Sequence, residues 1–145
     1  MKTKVFLDTN VLVDVLAGSR KYSQSSRVIF ELIKRGQIEA FISTQSVLDT
    51  SYALRREPLG KEFLSFVEWI CSHVNIGGIN SFNLLWACRN YAGDFEDDAL
   101  YSWAVDSGCD LIISGDKDFI ARYSGVEDSP EFLTPDEFVN SLKEN

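Results

Sequence analysis

The sequence predicts an α/β fold: a three-layer α/β/α sandwich in which helices cover both faces of a central, mainly parallel sheet. Short apolar runs typical of buried strands alternate along the chain with longer segments whose apolar residues recur at helical spacing. The first run, residues 5–7, is apolar at every position, as expected for a strand covered on both faces. The length of 145 residues, without an internal repeat or a linker, predicts a single domain over residues 1–145.

Helix stop and start signals divide the first half of the chain. Glycines 18 and 36 follow the last apolar positions of two helical patterns, where a left-handed C-terminal residue is favoured. Serine and threonine hydroxyls before a helix can cap its first turn, and a proline ends the preceding helix. The predicted elements are a strand at 5–8, a helix at 10–16, a helix from Ser23 or Ser25 to about Arg35, a strand at 40–43, a helix capped by Ser43 or Thr44 that ends before Pro58, and a helix from Leu59 to Ser72.

Similar signals divide the second half. The segment Thr134-Pro135-Asp136-Glu137 has the form of a capping box with proline at the first helical position. Three tryptophans lie on apolar helix faces and are predicted to be core: Trp69, Trp86 and Trp103. The predicted elements are a strand at 74–76, a helix opening at Ser81, a helix at 95–107, a strand at 111–114 and a helix at 135–143.

The net charge of −8 is unusual for a protein that binds nucleic acid, which normally carries a basic face. Either the protein binds no polyanion, or some carboxylates surround a metal ion that reverses the local field. Cys71, Cys88 and Cys109 form no zinc-binding pattern, so we expect small apolar fillers in a reducing cytoplasm. No apolar run is long enough to cross a membrane.

Four aspartates stand at comparable places relative to the predicted strands. Asp8 ends the first strand, and Asp49 follows the second near the start of its helix. Asp97 lies in the first turns of a helix, and Asp116 follows the last predicted strand. The loops after parallel strands open on one edge of the sheet, so we expect these four carboxylates to converge there.

The acidic residues also have structural explanations. Asp8 and Asp118 can be turn residues, with Asp8 also a possible N-cap. Asp94, Glu96 and Asp98 fall in a first helical turn, where carboxylates complement the helix dipole, and we expect them to cap the helix or be solvated.

A cluster of carboxylates is costly unless a cation neutralises it. Oxygen ligands suit Mg²⁺ or Mn²⁺. Such a site is well suited to hydrolysis of a phosphodiester and needs no side-chain nucleophile. The one histidine, His73, lies far from the acidic residues in sequence, and we expect it to be structural.

Four segments carry the acidic residues in order: VFLDTNVL (5–12), ISTQSVLD (42–49), DFED (94–97) with GCDLIIS (108–114), and SGDKDF (114–119). Taken in this order, they resemble the motifs of PIN-domain ribonucleases, and of the VapC-like toxins among them. A further segment, LTPDEF (133–138), resembles the closing helix of one bacterial branch. The second acidic position is often glutamate in the family and is Asp49 here. The loop around Asp116 is one residue shorter than the family pattern, which leaves open whether Asp116 or Asp118 enters the site.

The resemblance implies a PIN-like fold and a Mg²⁺- or Mn²⁺-dependent endoribonuclease, with one metal or two. The implied metal ligands and catalytic residues are Asp8, Asp49, Asp97 and Asp116. Residues implied to orient those ligands are Thr9, Asn10, Asp94 and Ser114. The basic residues that can contact an RNA backbone, or can simply be solvated, are Arg20, Lys21, Arg55, Arg56, Lys61 and Lys117. Tyrosines that can stack on bases, or only pack, are Tyr22, Tyr52 and Tyr123.

The resemblance also implies a toxin of a type II toxin–antitoxin pair, with an antitoxin partner and a homodimer. Two alternatives stay open. One is a PIN scaffold that acts only through protein contacts. The other is a haloacid-dehalogenase-type phosphatase with Asp8 as nucleophile, whose chemistry wants a second aspartate where this chain has Asn10.

Overall fold

The computed structural model describes residues 1–56 and 60–144, in which five strands form one sheet surrounded by eight helices. The strands are β1 (Thr3–Leu7), β2 (Ile38–Ser43), β3 (Asn75–Gly77), β4 (Leu111–Ile113) and β5 (Glu131–Leu133). The helices are α1 (Thr9–Ala17), α2 (Ser23–Lys34), α3 (Thr44–Ala53), α4 (Gly60–His73), α5 (Ser81–Arg89), α6 (Phe95–Asp106), α7 (Lys117–Tyr123) and α8 (Pro135–Lys143). Leu59, the predicted start of α4, and Pro58 lie outside the described residues.

The sheet has the order β3-β2-β1-β4-β5, and every neighbouring pair is parallel. Strand β1 lies in the centre, where Val5 pairs with Ala40 of β2 and with Leu111 of β4. The side chains of β1 alternate between the two faces, and both faces are covered. This explains why the strand is apolar at every position.

Each face of the sheet packs against its own set of helices. Val5 and Leu7 face a core that includes Val11 of α1, together with residues of α2, α4 and α8. Phe6 faces the opposite core, which includes Leu100 of α6 and residues of α5 and α7. The predicted three-layer α/β/α sandwich is therefore confirmed.

Two short elements, α7 and β5, were not predicted, and the prediction that all three cysteines are small buried fillers was wrong. Strand β5 has three residues and is held by parallel pairing, with Phe132 opposite Ile112.

Only Cys109 is a buried filler; Cys71 and Cys88 are exposed on α4 and α5. None of the helices within residues 1–56 and 60–144 has the length and apolar character needed to span a bilayer.

Trp103 anchors α6, the helix that carries Asp97, to the edge of the sheet at Gly77. A Cβ atom on Gly77 would lie 2.6 Å from Cζ2 of the Trp103 ring, which is 8% exposed. We therefore expect Gly77→Ala to lower the free energy of unfolding by about 1–3 kcal/mol through overpacking. Urea denaturation measures the difference, with Gly78→Ala as the control, because a Cβ there meets nothing closer than 3.8 Å. Equal midpoints for the two variants would contradict this packing argument.

Candidate functional site

Acidic side chains converge at the carboxyl edge of the sheet, where they line an open cleft of about 310 Å³. The carboxylates reach this cleft from the ends of β1 and β4 and from helices α3 and α6. The acidic residues that line the cleft are Asp8, Asp49, Glu96, Asp97 and Asp116. The structure thus brings together all four aspartates singled out in the sequence, and adds Glu96.

Asp8 is the most deeply buried carboxylate of the cleft, at 6% exposure. It caps the N-terminus of α1, and its Oδ1 accepts a hydrogen bond from the Thr9 backbone N–H at 2.8 Å. Its Oδ2 accepts from the Ser114 hydroxyl at 2.7 Å and from Asn10 Nδ2 at 3.1 Å. Asp8 is therefore both a helix cap and a fixed acceptor aimed at the cleft.

Asn10 and Ser114 tie the loops after β1 and β4 together. Oδ1 of Asn10 accepts from the Gly115 backbone N–H at 2.9 Å, and the Ser114 hydroxyl oxygen accepts from the Asp116 N–H at 3.0 Å. The Thr9 hydroxyl instead donates to Ser46 Oγ at 3.0 Å, so only its backbone orients a carboxylate. Two of the four predicted orienting side chains, those of Asn10 and Ser114, thus act on Asp8 directly.

The loop after β4 distinguishes Asp116 from Asp118. Asp116 caps α7, its Oδ1 accepting from the N–H groups of Asp118 at 2.9 Å and Phe119 at 3.3 Å, and it lines the cleft. Asp118 is exposed in the first turn of α7 and does not line the cleft. This geometry favours Asp116 as the fourth acidic position.

Asp97 is paired with a cation of the chain itself. Arg122 of α7 contacts Asp97 Oδ2 through Nη1 at 2.7 Å, and its Nη2 lies 4.0 Å from Asp94 Oδ2. The side chains of Arg122 and Asp97 are 19% and 15% exposed. Asp94 caps α6 by accepting from the Asp97 N–H at 3.0 Å, and it is not among the residues lining the cleft. Arg122 was not anticipated, because no sequence spacing links α7 to α6.

Glu96, expected to cap its helix or be solvated, is exposed and in addition lines the cleft. It shares that lining with Asp49 of α3. Asp49 also accepts from Gln45 Nε2 at 2.8 Å. The family pattern, which often has glutamate at the second acidic position, was the one available hint that a longer carboxyl side chain belongs in this part of the cleft.

Asp98 is buried rather than capping or solvated. It accepts from the Ala92 backbone N–H at 2.9 Å and from the hydroxyl of Tyr123. Tyr123 is itself buried and stacks on Tyr101 with ring centroids 3.9 Å apart. Both residues therefore stabilise the packing of α6 against α7, and Tyr123 does not offer a face for stacking a base.

The predicted substrate-contacting residues separate into two groups. Arg20 lines the acidic cleft, and Lys21 and Tyr22 line a second cleft beside it. Arg55 stacks on Tyr52, its guanidinium carbon 4.0 Å from the ring centroid. Exposed positions outside both clefts are those of Tyr52, Arg55, Arg56, Lys61 and Lys117.

Three carboxylates of the cleft, those of Asp8, Glu96 and Asp97, have pKa values above the ordinary range. Burial raises the pKa of Asp8, while hydrogen bonds from Ser114 and Thr9 oppose the shift. Burial, together with the charges of Asp8 and Asp94, raises the pKa of Asp97 to about 7, although Arg122 acts in the opposite direction. The positive charge near Asp97 is therefore too small to offset its burial and the charges of the neighbouring carboxylates.

The pKa of Glu96 is also raised to about 7. The first cause is partial burial of its carboxyl group, and the next are its hydrogen bond with Asp49 and the charge of Asp49. Glu96, like Asp97, therefore has too little positive charge nearby to offset the causes that raise its pKa.

The donor set of the cleft is suited to a hard divalent cation because it consists of carboxylate oxygens. Among the described residues, no three side chains of histidine, cysteine, aspartate or glutamate lie close enough together to ligate one ion as they stand. Asp97 is turned towards Arg122, and Asp49 towards Gln45. The chemistry of the residues thus fits such an ion, and ligation requires side-chain movement.

Comparisons with solved structures show the same fold in toxins of toxin–antitoxin systems. VapC20 of Mycobacterium tuberculosis, described as a sarcin–ricin loop cleaving toxin, matches with a TM-score of 0.65 and 15% identity, over 87% of this chain and 99% of that one. VapBC2 of Rickettsia felis, bound to a DNA fragment from its promoter, matches with a TM-score of 0.63 and 13% identity, over 91% of this chain and 98% of that one. A toxin–antitoxin complex from Klebsiella pneumoniae matches with a TM-score of 0.61 and 16% identity, over 90% and 97%.

Sequence comparison gives the family. No curated protein matches the chain significantly. The sequence matches the PIN domain over residues 4–118, which is most of its length and includes every acidic residue of the cleft. The chain therefore belongs to the PIN domain family.

Proposed function

We propose that this protein is a Mg²⁺- or Mn²⁺-dependent endoribonuclease that hydrolyses RNA phosphodiester bonds. The observation that carries the proposal is the cleft at the carboxyl edge of the sheet, where five acidic side chains meet. Burial and neighbouring carboxylates raise the pKa of two of them, Glu96 and Asp97, to about 7, and at Asp97 the salt bridge to Arg122 does not offset these effects. A doubly charged ion supplies additional positive charge, and PIN domains are nucleases.

The four aspartates are the proposed ligands, and Glu96 joins Asp49 as a candidate for the second position. With Mg²⁺ or Mn²⁺ bound, the site would provide a water of lowered pKa and neutralise charge on the phosphate. Asn10 and Ser114 hold the Asp8 carboxylate in place, and Arg122 holds Asp97. Asn10 and Ser114 thus fix the direction of the Asp8 acceptors before substrate arrives, whereas Asp97 would have to turn from Arg122 to ligate a metal ion.

The residues around the cleft favour attack by water over attack by a side chain. The described residues that line it include neither histidine nor cysteine. His73 stacks on Trp69 at the end of α4, with ring centroids 4.4 Å apart. Its Nδ1 lies 2.9 Å from the Trp69 carbonyl oxygen. We therefore assign His73 a structural role.

The test is incubation of the purified protein with total RNA and Mn²⁺, followed by mapping of the cut ends. We expect cleavage that EDTA abolishes and that falls at least about a hundredfold in Asp116→Asn. The matched control is Asp118→Asn, two residues away on the exposed side of α7, which should cleave at the wild-type rate. Absence of any divalent-dependent cleavage overturns the proposal, and equal losses in both variants overturn the assignment of Asp116.

We also propose that the chain is the toxin of a type II pair and that a small antitoxin covers the acidic cleft. The solved toxin–antitoxin complexes with this fold support the proposal. Leu48 and Tyr52, on either side of Asp49 on α3, are 65% and 66% exposed, and large apolar side chains at the rim of a cleft favour a protein partner. A basic side chain of the antitoxin would take the place of the cation. The homodimer implied by the family resemblance is part of this proposal.

The two alternatives fit the cleft less well. A scaffold without activity has no use for a cluster of carboxylates in which burial, together with the charges of Asp8 and Asp94, raises the pKa of Asp97. A phosphatase with Asp8 as nucleophile needs an acid at position 10, where Asn10 instead donates to Asp8.

A further inference from the structure

A second cleft of about 490 Å³ lies directly beside the acidic one. The two clefts share Asn10, Arg20 and Asp116, so one continuous ligand can occupy both. Unlike the acidic cleft, the second one has an aromatic ring and two basic side chains in its wall, those of Tyr22, Arg20 and Lys21. Its volume is in the range of sites that bind small organic groups.

Tyr22 is held in a fixed position relative to Asp8. Its ring carbons Cδ2 and Cε2 lie 3.1 Å from where a Cβ on Gly115 would stand, so the ring packs on the glycine backbone. The Gly115 N–H donates to Asn10 Oδ1, and Asn10 Nδ2 donates to Asp8 Oδ2. A chain of direct contacts thus joins the aromatic ring to the most buried carboxylate of the acidic cleft.

The two basic residues surround this ring. Arg20 Nε bonds to Oδ1 of the buried Asp14 at 2.7 Å, and the other oxygen of Asp14 accepts from Ser26 Oγ at 3.2 Å. Asp14 is therefore neutralised, and the Arg20 side chain remains 48% exposed with its terminal nitrogens available to a ligand. Lys21 Nζ lies 5.1 Å from the centroid of the Tyr22 ring, on an exposed side chain that can move aside.

We propose that the second cleft is a nucleotide subsite for single-stranded RNA, with the base on Tyr22 and the phosphate on Arg20 and Lys21. The proposal rests on the proposed function, because it places this nucleotide next to the phosphodiester in the acidic cleft. Aromatic rings bind unstacked bases, and arginine and lysine bind the backbone. The lining of the cleft holds these two cations beside two carboxylates, of which Asp14 is already paired with Arg20.

The experiment is anisotropy titration of a fluorescent single-stranded RNA ten-mer with full-length protein in EDTA, where no cleavage occurs. We expect Tyr22→Ala to weaken binding about fivefold to tenfold and Tyr22→Phe to change it less than about twofold, because stacking needs only the ring. Lys21→Gln should reduce the slope of log affinity against log salt by about one. The controls are Tyr91→Ala, an exposed tyrosine that lines neither cleft, and Lys34→Gln at the far end of α2.

Three outcomes overturn the subsite: no binding by wild type, unchanged binding by Tyr22→Ala with a native circular dichroism spectrum, or equal losses in Tyr22→Phe and Tyr22→Ala. Failure of the subsite and failure of the nuclease function give different results. Loss of RNA binding in Tyr22→Ala, from a protein that cleaves nothing with Mn²⁺, supports the subsite and refutes the function. Mn²⁺-dependent cleavage with unchanged binding in Tyr22→Ala refutes the subsite alone.

Discussion

Replacing Asp8 by asparagine is expected to lower the rate of RNA hydrolysis by at least about a thousandfold while the protein stays folded. Asp8 is the buried carboxylate on which the loops after β1 and β4 converge, and an amide in its place is a poor ligand for a divalent cation. Asparagine cannot accept from all three donors that Asp8 satisfies, but it also removes a buried charge, and the two effects on stability partly offset each other.

Initial rates on a fluorogenic RNA in Mn²⁺ measure the effect, with circular dichroism to verify the fold. Asp128→Asn is the matched control, because Asp128 is exposed in the loop before β5 and its φ of 60° is one that asparagine tolerates. A residual rate above about a tenth of wild type in Asp8→Asn would show that Asp8 is not a ligand essential for catalysis.

The stability of the metal-free protein is expected to fall as the pH rises from about 4 to about 7. The pKa of Asp97 is 3.8 in the unfolded reference and about 7 in the folded protein, so the folded state binds more protons over this interval. Unfolding then becomes easier with increasing pH, and the penalty is complete above about 7. Glu96 acts in the same direction.

Asp97→Asn removes this penalty. A shift of this size corresponds to at most about 4 kcal/mol, and because the cleft is open to solvent we expect the variant to be more stable than wild type by about 1–2 kcal/mol at pH 8 in EDTA. The difference should disappear near pH 4, where both side chains are neutral. Urea denaturation at pH 4, 6 and 8 measures it. Millimolar Mn²⁺ should raise the midpoint of wild type but not that of the variant. If wild type is the more stable protein at pH 8 in EDTA, the cluster is not short of positive charge.

The sequence was sufficient to predict the layers of the fold and the meeting of the four aspartates. Buried strands followed by acidic residues are local patterns, and a parallel sheet brings their carboxyl ends to one edge. Strand β5 escaped prediction because its three residues, Glu131–Leu133, carry no period of their own and are ordered by pairing with β4. Helix α7 was missed for a similar reason, because seven residues are too few to show a clear helical period.

Which residues of α6 line the cleft depends on which face of the helix packs against the sheet. An acidic residue in a first helical turn has the same sequence signature whether it faces solvent or a cleft, so Glu96 was interpreted as a capping or solvated residue. Likewise, nothing in the spacing of Asp97 and Arg122 distinguishes a salt bridge from two unrelated side chains. Only the packing of α7 beside α6 brings these two charges within 2.7 Å.

The central position of β1 has a consequence for synthesis on the ribosome. A nascent chain that ends before residue 94 already contains Asp8 and Asp49, but it lacks α6, β4 and α7, which supply Asp97 and Asp116. Asp8 also lacks Ser114, its shortest hydrogen-bond donor, until β4 has been translated and pairs with β1. The ribosome therefore completes most of the polypeptide before the acidic cleft can exist, and an unfinished chain carries no assembled centre.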